Sequence, residues 1–134
     1  MKTTQEHFHA TRLQSPLGRV RGLGSAKGGT HHWWMQRVSS MALLPLTLWF
    51  TYGVATLSGA PYERVISWIA HPFHAVLLLL FIGIGFQHTA SGLQVVIEDY
   101  VRPESRRKAY NLLQKAACAV LAPFAALAVL RIAV

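Results

Sequence analysis

Four residues of this 134-residue chain have types and positions that could do chemistry: His88, Asp99, Tyr100 and Arg37. His88 stands in the stretch "FQHTASGLQVVIEDYV", Phe86 to Val101, inside a long apolar run and 11 residues before Asp99. On a helix that step is about 16 Å, at ~1.5 Å per residue. An ionisable side chain so deep in apolar surroundings is costly, and it calls for a function or a hydrogen-bonding partner. Three roles fit: a neutral imidazole bonded to a neighbouring helix, a haem axial ligand, or a proton relay. Gly85, Ser91 and Gly92 sit at minus three, plus three and plus four from His88, on its own helical face. That small-residue face suits either a planar macrocycle or the close approach of another helix. Haem iron with no open position takes two axial ligands, and no second histidine occurs at this depth. A bis-histidine haem would therefore draw its other ligand from another subunit.

Asp99 and Tyr100 fall where the apolar run stops. A tyrosine hydroxyl can donate to a carbonyl oxygen, and a carboxylate beside it can accept or return a proton. That pair suits a quinone head group at a membrane edge, or else an interfacial tyrosine anchor beside a helix-end acid. Arg37 opens an earlier apolar run, where a guanidinium can bind lipid phosphate or a haem propionate.

The elements that must hold these residues follow from the spacing of charge. The chain is 52% hydrophobic and only 13% charged, against roughly a quarter charged in soluble domains. Val38–Tyr62 and Val65–Ile97 carry no charge, and Ala109–Leu130 only Lys115. About 20 apolar residues cross a hydrocarbon core of ~30 Å. The expected fold is an all-α membrane protein with three transmembrane helices, near residues 35–57, 72–98 and 106–131. The run from Val65 is too long for one straight span. It divides into a short outer segment ending near Ala70 and a helix that begins at Pro72, a favoured first-turn proline. "SGAPYE" reads as the outer turn and "EDYVRPES" as the inner loop. Two regions result: a basic N-terminal segment, 1–34, and a three-helix anchor domain, 35–134.

The net charge of +8 is not a nucleic-acid signature, because of where it sits. Lys2, Arg12, Arg19, Arg21, Lys27 and Arg37 precede or open the first span, and Arg102, Arg106, Arg107 and Lys108 separate the second and third. Such clusters mark the cytoplasmic side, which places the N-terminus inside and the C-terminus outside. Residues 1–30 are rich in Gly, Ser and Arg, with no apolar core of the secretory kind, and read as an extended cytoplasmic leader. Trp33 and Trp34 suit the headgroup level, and Lys115 can snorkel toward it. The single cysteine, Cys118, excludes an internal disulfide, a cysteine-built iron–sulfur or zinc site and a CxxCH haem attachment.

His88, Gly92, Gln94-Val95 and Asp99-Tyr100-Val101, with Arg37-Val38 opening the first of three spans, together form a pattern that resembles the hydrophobic membrane anchor family of succinate dehydrogenase. The leader "SPLGRVRGLGSAKGGTHHWW" is similar to the alphaproteobacterial branch of that family, and the resemblance covers about residues 15–134. It implies a multi-pass protein of the bacterial inner membrane. It implies that His88 ligates a haem b shared with a second, cytochrome b anchor subunit, and that Tyr100 and Asp99 bind ubiquinone. Arg37 and His31 would lie near the haem propionates. The partners implied are a flavoprotein, an iron–sulfur protein and the companion anchor, in the citric acid cycle and respiratory electron transport. With no dinucleotide fingerprint in the sequence, this chain would not itself oxidise succinate. A fumarate reductase-type anchor, and a haem-free membrane or transporter subunit with a proton-relay histidine, are the alternatives.

Overall fold

Helix-breaking residues decide where the elements begin and end. The computed structural model describes Leu17 and residues 29–134; the leader cations Lys2, Arg12, Arg19, Arg21 and Lys27 lie outside them. Among the described residues four helices follow one another: α1 Gly29–Thr56, α2 Tyr62–Ala70, α3 Pro72–Tyr100 and α4 Glu104–Ala133. No strand occurs among the described residues. Three helices, α1, α3 and α4, are long and apolar enough to cross a membrane, as the charge pattern led us to expect. At 28, 29 and 30 residues they are each about 42–45 Å long, so their ends reach beyond a ~30 Å hydrocarbon core.

α1 and α4 begin earlier, and α3 and α4 end later, than expected, and the reason is local. Nothing between Thr30 and Arg37 breaks a helix, so "HHWW" forms the first turns of α1 instead of an extended entry. α3 runs on through Asp99 and Tyr100. Pro103 disfavours the helical conformation at Arg102, and it caps α4, whose first turn carries Glu104 against the helix dipole. The inner loop is therefore only Val101–Pro103, where "EDYVRPES" was expected. Pro45 and Pro123 are accommodated inside α1 and α4.

The outer connection is structured as well. Pro61 caps α2 at its start, and the turn before it places Gly59 at φ 75°, a conformation open to glycine. His71 ends α2 and begins α3, where its Nδ1 accepts from the Phe73 N–H at 3.3 Å. Pro72 takes the first helical turn.

From His32 onward the chain is one unit, and it has little interior. Ala75 and Leu78 are its buried apolar residues, joined by Ser39 and Ser91. Large apolar side chains such as Met41, Leu44, Leu112 and Phe124 face outward, which a lipid environment permits. Aromatic packing organises the end of the bundle near α2. The Trp68 ring stacks on Trp49 at 5.4 Å and on His74 at 4.2 Å. Phe50 of α1 stacks on Phe81 of α3 at 4.9 Å.

Candidate functional site

His88 occupies the α1–α3 contact. Its Nδ1 lies 2.9 Å from the Ser39 Oγ, and its Nε2 lies 3.4 Å from the Gln36 side-chain nitrogen. The first distance is a firm hydrogen bond and the second a long one. Both α1 residues come from the first half of that helix, so His88 sits at the same level as Gln36 and Ser39. On the other side the Gln114 amide of α4 donates to the Ala90 carbonyl at 3.3 Å. One layer of the bundle thus holds His88, Ser39 and the Gln114 side chain, about 18 Å along α3 from Tyr100.

The two glycines flanking His88 divide the alternatives posed for them. A Cβ at Gly92 would lie 3.3 Å from the Gln36 amide, so that side of the histidine is covered by a side chain of α1. A Cβ at Gly85 would meet nothing within 4 Å. It lines a shallow hollow of about 230 Å³ with Phe81, Phe86 and Thr89.

Asp99 and Tyr100 form the last turn of α3. Tyr100 is 82% exposed, and Asp99 is exposed beside it. Next to them Gln94 donates to Glu98 Oε1 at 2.8 Å. Arg37 projects from α1 with its guanidinium 5.2 Å from the centre of the Trp33 ring, a cation–π distance. His31 lies in the first turn of α1 and is exposed. These residues therefore fall at two levels: His88 faces the α1 segment that carries Arg37, and Asp99, Tyr100 and His31 lie at helix ends.

A cleft of about 450 Å³ opens between α3 and α4, lined among others by His32, Gln87, Ser91, Gln94, Lys115 and Cys118. Lys115, expected to snorkel toward the headgroups, lines this cleft, as does the half-buried Cys118. Among the described residues, four buried side-chain atoms have no hydrogen-bond partner: His32 Nε2, Gln36 Oε1, Asn111 Oδ1 and Gln114 Oε1. All four belong to the first half of α1 or of α4, at the end of the bundle where α3 finishes. No group of three His, Cys, Asp or Glu residues gathers into a metal site among the described residues.

Sequence reasoning missed Ser39 and Gln36. A serine in "VSSM" has no signal of its own. The available signal was depth: Gln36 and Ser39 lie just past the Trp33-Trp34 entry, where the bundle needs partners for a histidine on the facing helix.

A family profile described as the succinate dehydrogenase/fumarate reductase transmembrane subunit matches residues 11–127. The chain belongs to that family. The succinate dehydrogenase hydrophobic membrane anchor subunit of Paracoccus denitrificans is 36% identical over 98 residues, covering 73% of this chain and 76% of its own. The same subunit of Rickettsia conorii is 32% identical over 109 residues, 81% of this chain and 86% of its own. The succinate dehydrogenase membrane anchor subunit of Reclinomonas americana is 33% identical over 84 residues, 60% and 70% of the two chains. No solved structure matches the chain. As a member of this family, the chain is a multi-pass protein of the bacterial inner membrane and associates with other subunits of an oxidoreductase complex.

Proposed function

We propose that this chain is the anchor that docks the flavoprotein and iron–sulfur subunits of a succinate:quinone oxidoreductase, shares a haem b with a companion anchor, and helps form the ubiquinone reduction site. The observation that carries this reading is the incompleteness of one end of the bundle. His32, Gln36, Asn111 and Gln114 each leave a buried polar atom unpartnered there, and His88 holds only a long contact at Nε2. Buried polar groups are almost always satisfied, so this end is built to be completed by other molecules.

The residues present fit a haem. The Ser39 contact engages Nδ1, and the loosely held Nε2 is the nitrogen left to ligate iron. Gln36 would have to swing aside, which its unpartnered Oε1 makes easy. A second ligand would come from the companion anchor, as the family resemblance implies; His71 and His74 lie at the far end of α3. Arg37, beside Gln36 on α1, and His31, in the first turn of that helix, would lie toward the propionates. Bound at His88, the haem would supply a one-electron redox centre within the membrane.

Quinone reduction takes up two electrons and two protons. Tyr100 Oη would donate a hydrogen bond to a quinone carbonyl oxygen, and Asp99, exposed at the aqueous edge, would relay the two protons from water to the reduced oxygens. Their exposure at the end of α3 leaves that face open for a head group and for the iron–sulfur protein that delivers the electrons. Arg102, Arg106, Arg107 and Lys108 would meet that protein on the cytoplasmic side, with the N-terminus inside and the C-terminus outside.

Two substitutions in the assembled complex test the reading. His88→Ala is expected to abolish the b-type absorbance of the purified complex; retained haem would overturn the ligand assignment and leave His88 to a proton-relay or packing role. Tyr100→Phe is expected to slow ubiquinone reduction by about 100-fold, with succinate oxidation by an artificial acceptor unchanged. Unaltered quinone kinetics would refute the quinone assignment.

A further inference from the structure

We infer that Ser39 is the positioning residue for the His88 imidazole: its Oγ holds the Nδ1 proton and thereby presents Nε2, with its lone pair, to iron. This rests on the reading of His88 as a haem ligand. A neutral imidazole carries a proton on one nitrogen and a lone pair on the other, and a metal takes the lone pair. The two nitrogens of His88 are not equivalent. Nδ1 faces Ser39 Oγ at 2.9 Å, and Ser39 is only 6% exposed, so a metal at Nδ1 would have to displace a buried group fixed to a helix backbone. At Nε2 the neighbour is the tip of the Gln36 side chain at 3.4 Å, which can rotate away.

With iron on Nε2, the proton must reside on Nδ1, and a buried N–H needs an acceptor. Ser39 Oγ supplies it. The serine is held in that role by its own hydroxyl, which donates to the Gln36 carbonyl at 3.0 Å; a carbonyl only accepts, so the oxygen lone pair is left toward His88. The Ser40 hydroxyl reaches the same carbonyl at 2.7 Å. Sharing that acceptor does not alter the assignment, since an Nδ1–H leaves Ser39 only the accepting role. The low dielectric of the site makes an unaccepted N–H costly. An acceptor on the far nitrogen also makes imidazole a more basic ligand, which favours the oxidised iron and lowers the haem potential.

Threonine and valine at position 39 have the same shape and differ in the acceptor, so they separate positioning from packing. In the purified complex, Ser39→Thr is expected to keep the haem midpoint potential and the low-spin ferric EPR signal. Ser39→Val is expected to move the potential to more positive values, to alter the EPR g values, and to weaken haem retention by roughly tenfold. Equal potentials and spectra in the two variants would overturn the inference. Should the valine complex fail to assemble, Ser39→Ala replaces it in the same measurement, and an unshifted potential there has the same force. His88→Ala run alongside keeps the two claims apart. Haem retained in that variant removes the ligand reading itself, whereas haem lost there with identical threonine and valine complexes removes only the role of Ser39.

Discussion

The two ends of this bundle are built on opposite principles, and two glycines show it. At the end capped by α2, Gly53 is buried and a Cβ there would lie 2.6 Å from Trp68 Cζ2 and 3.1 Å from Cη2. The Trp68 ring is itself stacked between Trp49 and His74, and His74 Nδ1 donates to the Trp68 carbonyl at 2.8 Å. This end is finished within one chain. At the end where α3 stops, Gly92 faces only the tip of the Gln36 side chain at 3.3 Å, and the unpartnered polar atoms collect there. The chain therefore concentrates its packing at one end and leaves its chemistry unfinished at the other. A subunit of the proposed kind, sharing a site with a neighbour, would need both: a rigid end to fix the helices, and an open end to be completed.

If that division holds, substitutions at the α2 end should change stability and spare redox chemistry, and substitutions at the other end should do the reverse. Loss of haem in His88→Ala is the largest effect expected, and it should leave the α2 end intact. The next is Gly53→Val. The added side chain cannot enter without expelling the Trp68 ring, and overpacking of this kind costs about 1–3 kcal/mol. The melting temperature of the purified complex should fall, with the b-type spectrum and midpoint potential unchanged. A shifted potential without a shifted melting temperature would show that the two ends are coupled, and the division would fail.

How much of this could be read in advance differs between the ends for a physical reason. The three spans were legible because charge is excluded from hydrocarbon, so Val38–Tyr62 and Val65–Ile97 announce themselves. Pro72 marked the start of α3 because proline is tolerated in a first turn and breaks a helix elsewhere. Asp99 and Tyr100 were legible as a pair at the end of an apolar run. The helix ends were less so: α1 and α4 begin before the expected residues and α3 ends after them, since "HHWW" and "EDYV" contain nothing that forbids a helix. Contacts between helices were not legible. Neither Trp68 against Gly53 nor Ser39 against His88 has a local signature, because each exists only once α1 and its neighbours are in register. A residue that acts through another, as Ser39 does, is set by that register and not by its own type.

Gly92→Ala gives the smallest and most discriminating effect. Two terms oppose each other. Alanine is better than glycine in a helix interior by roughly 0.8–1.0 kcal/mol, while the new methyl meets Gln36 Nε2 at 3.3 Å, tighter than an ordinary contact. The group it meets is the end of a flexible side chain whose Oε1 has no partner, so it yields at small cost, and the propensity term wins. The melting temperature should stay level or rise slightly, opposite in sign to Gly53→Val. The same methyl pushes the Gln36 amide off His88 Nε2, the direction in which Gln36 must move for iron to bind, so haem content should be preserved. A clear loss of haem in Gly92→Ala, with assembly intact, would mean that the macrocycle and not Gln36 occupies the face at Gly92. Gly92 would then share the space that the structure leaves open at Gly85, and the open end of the bundle would extend to both sides of His88.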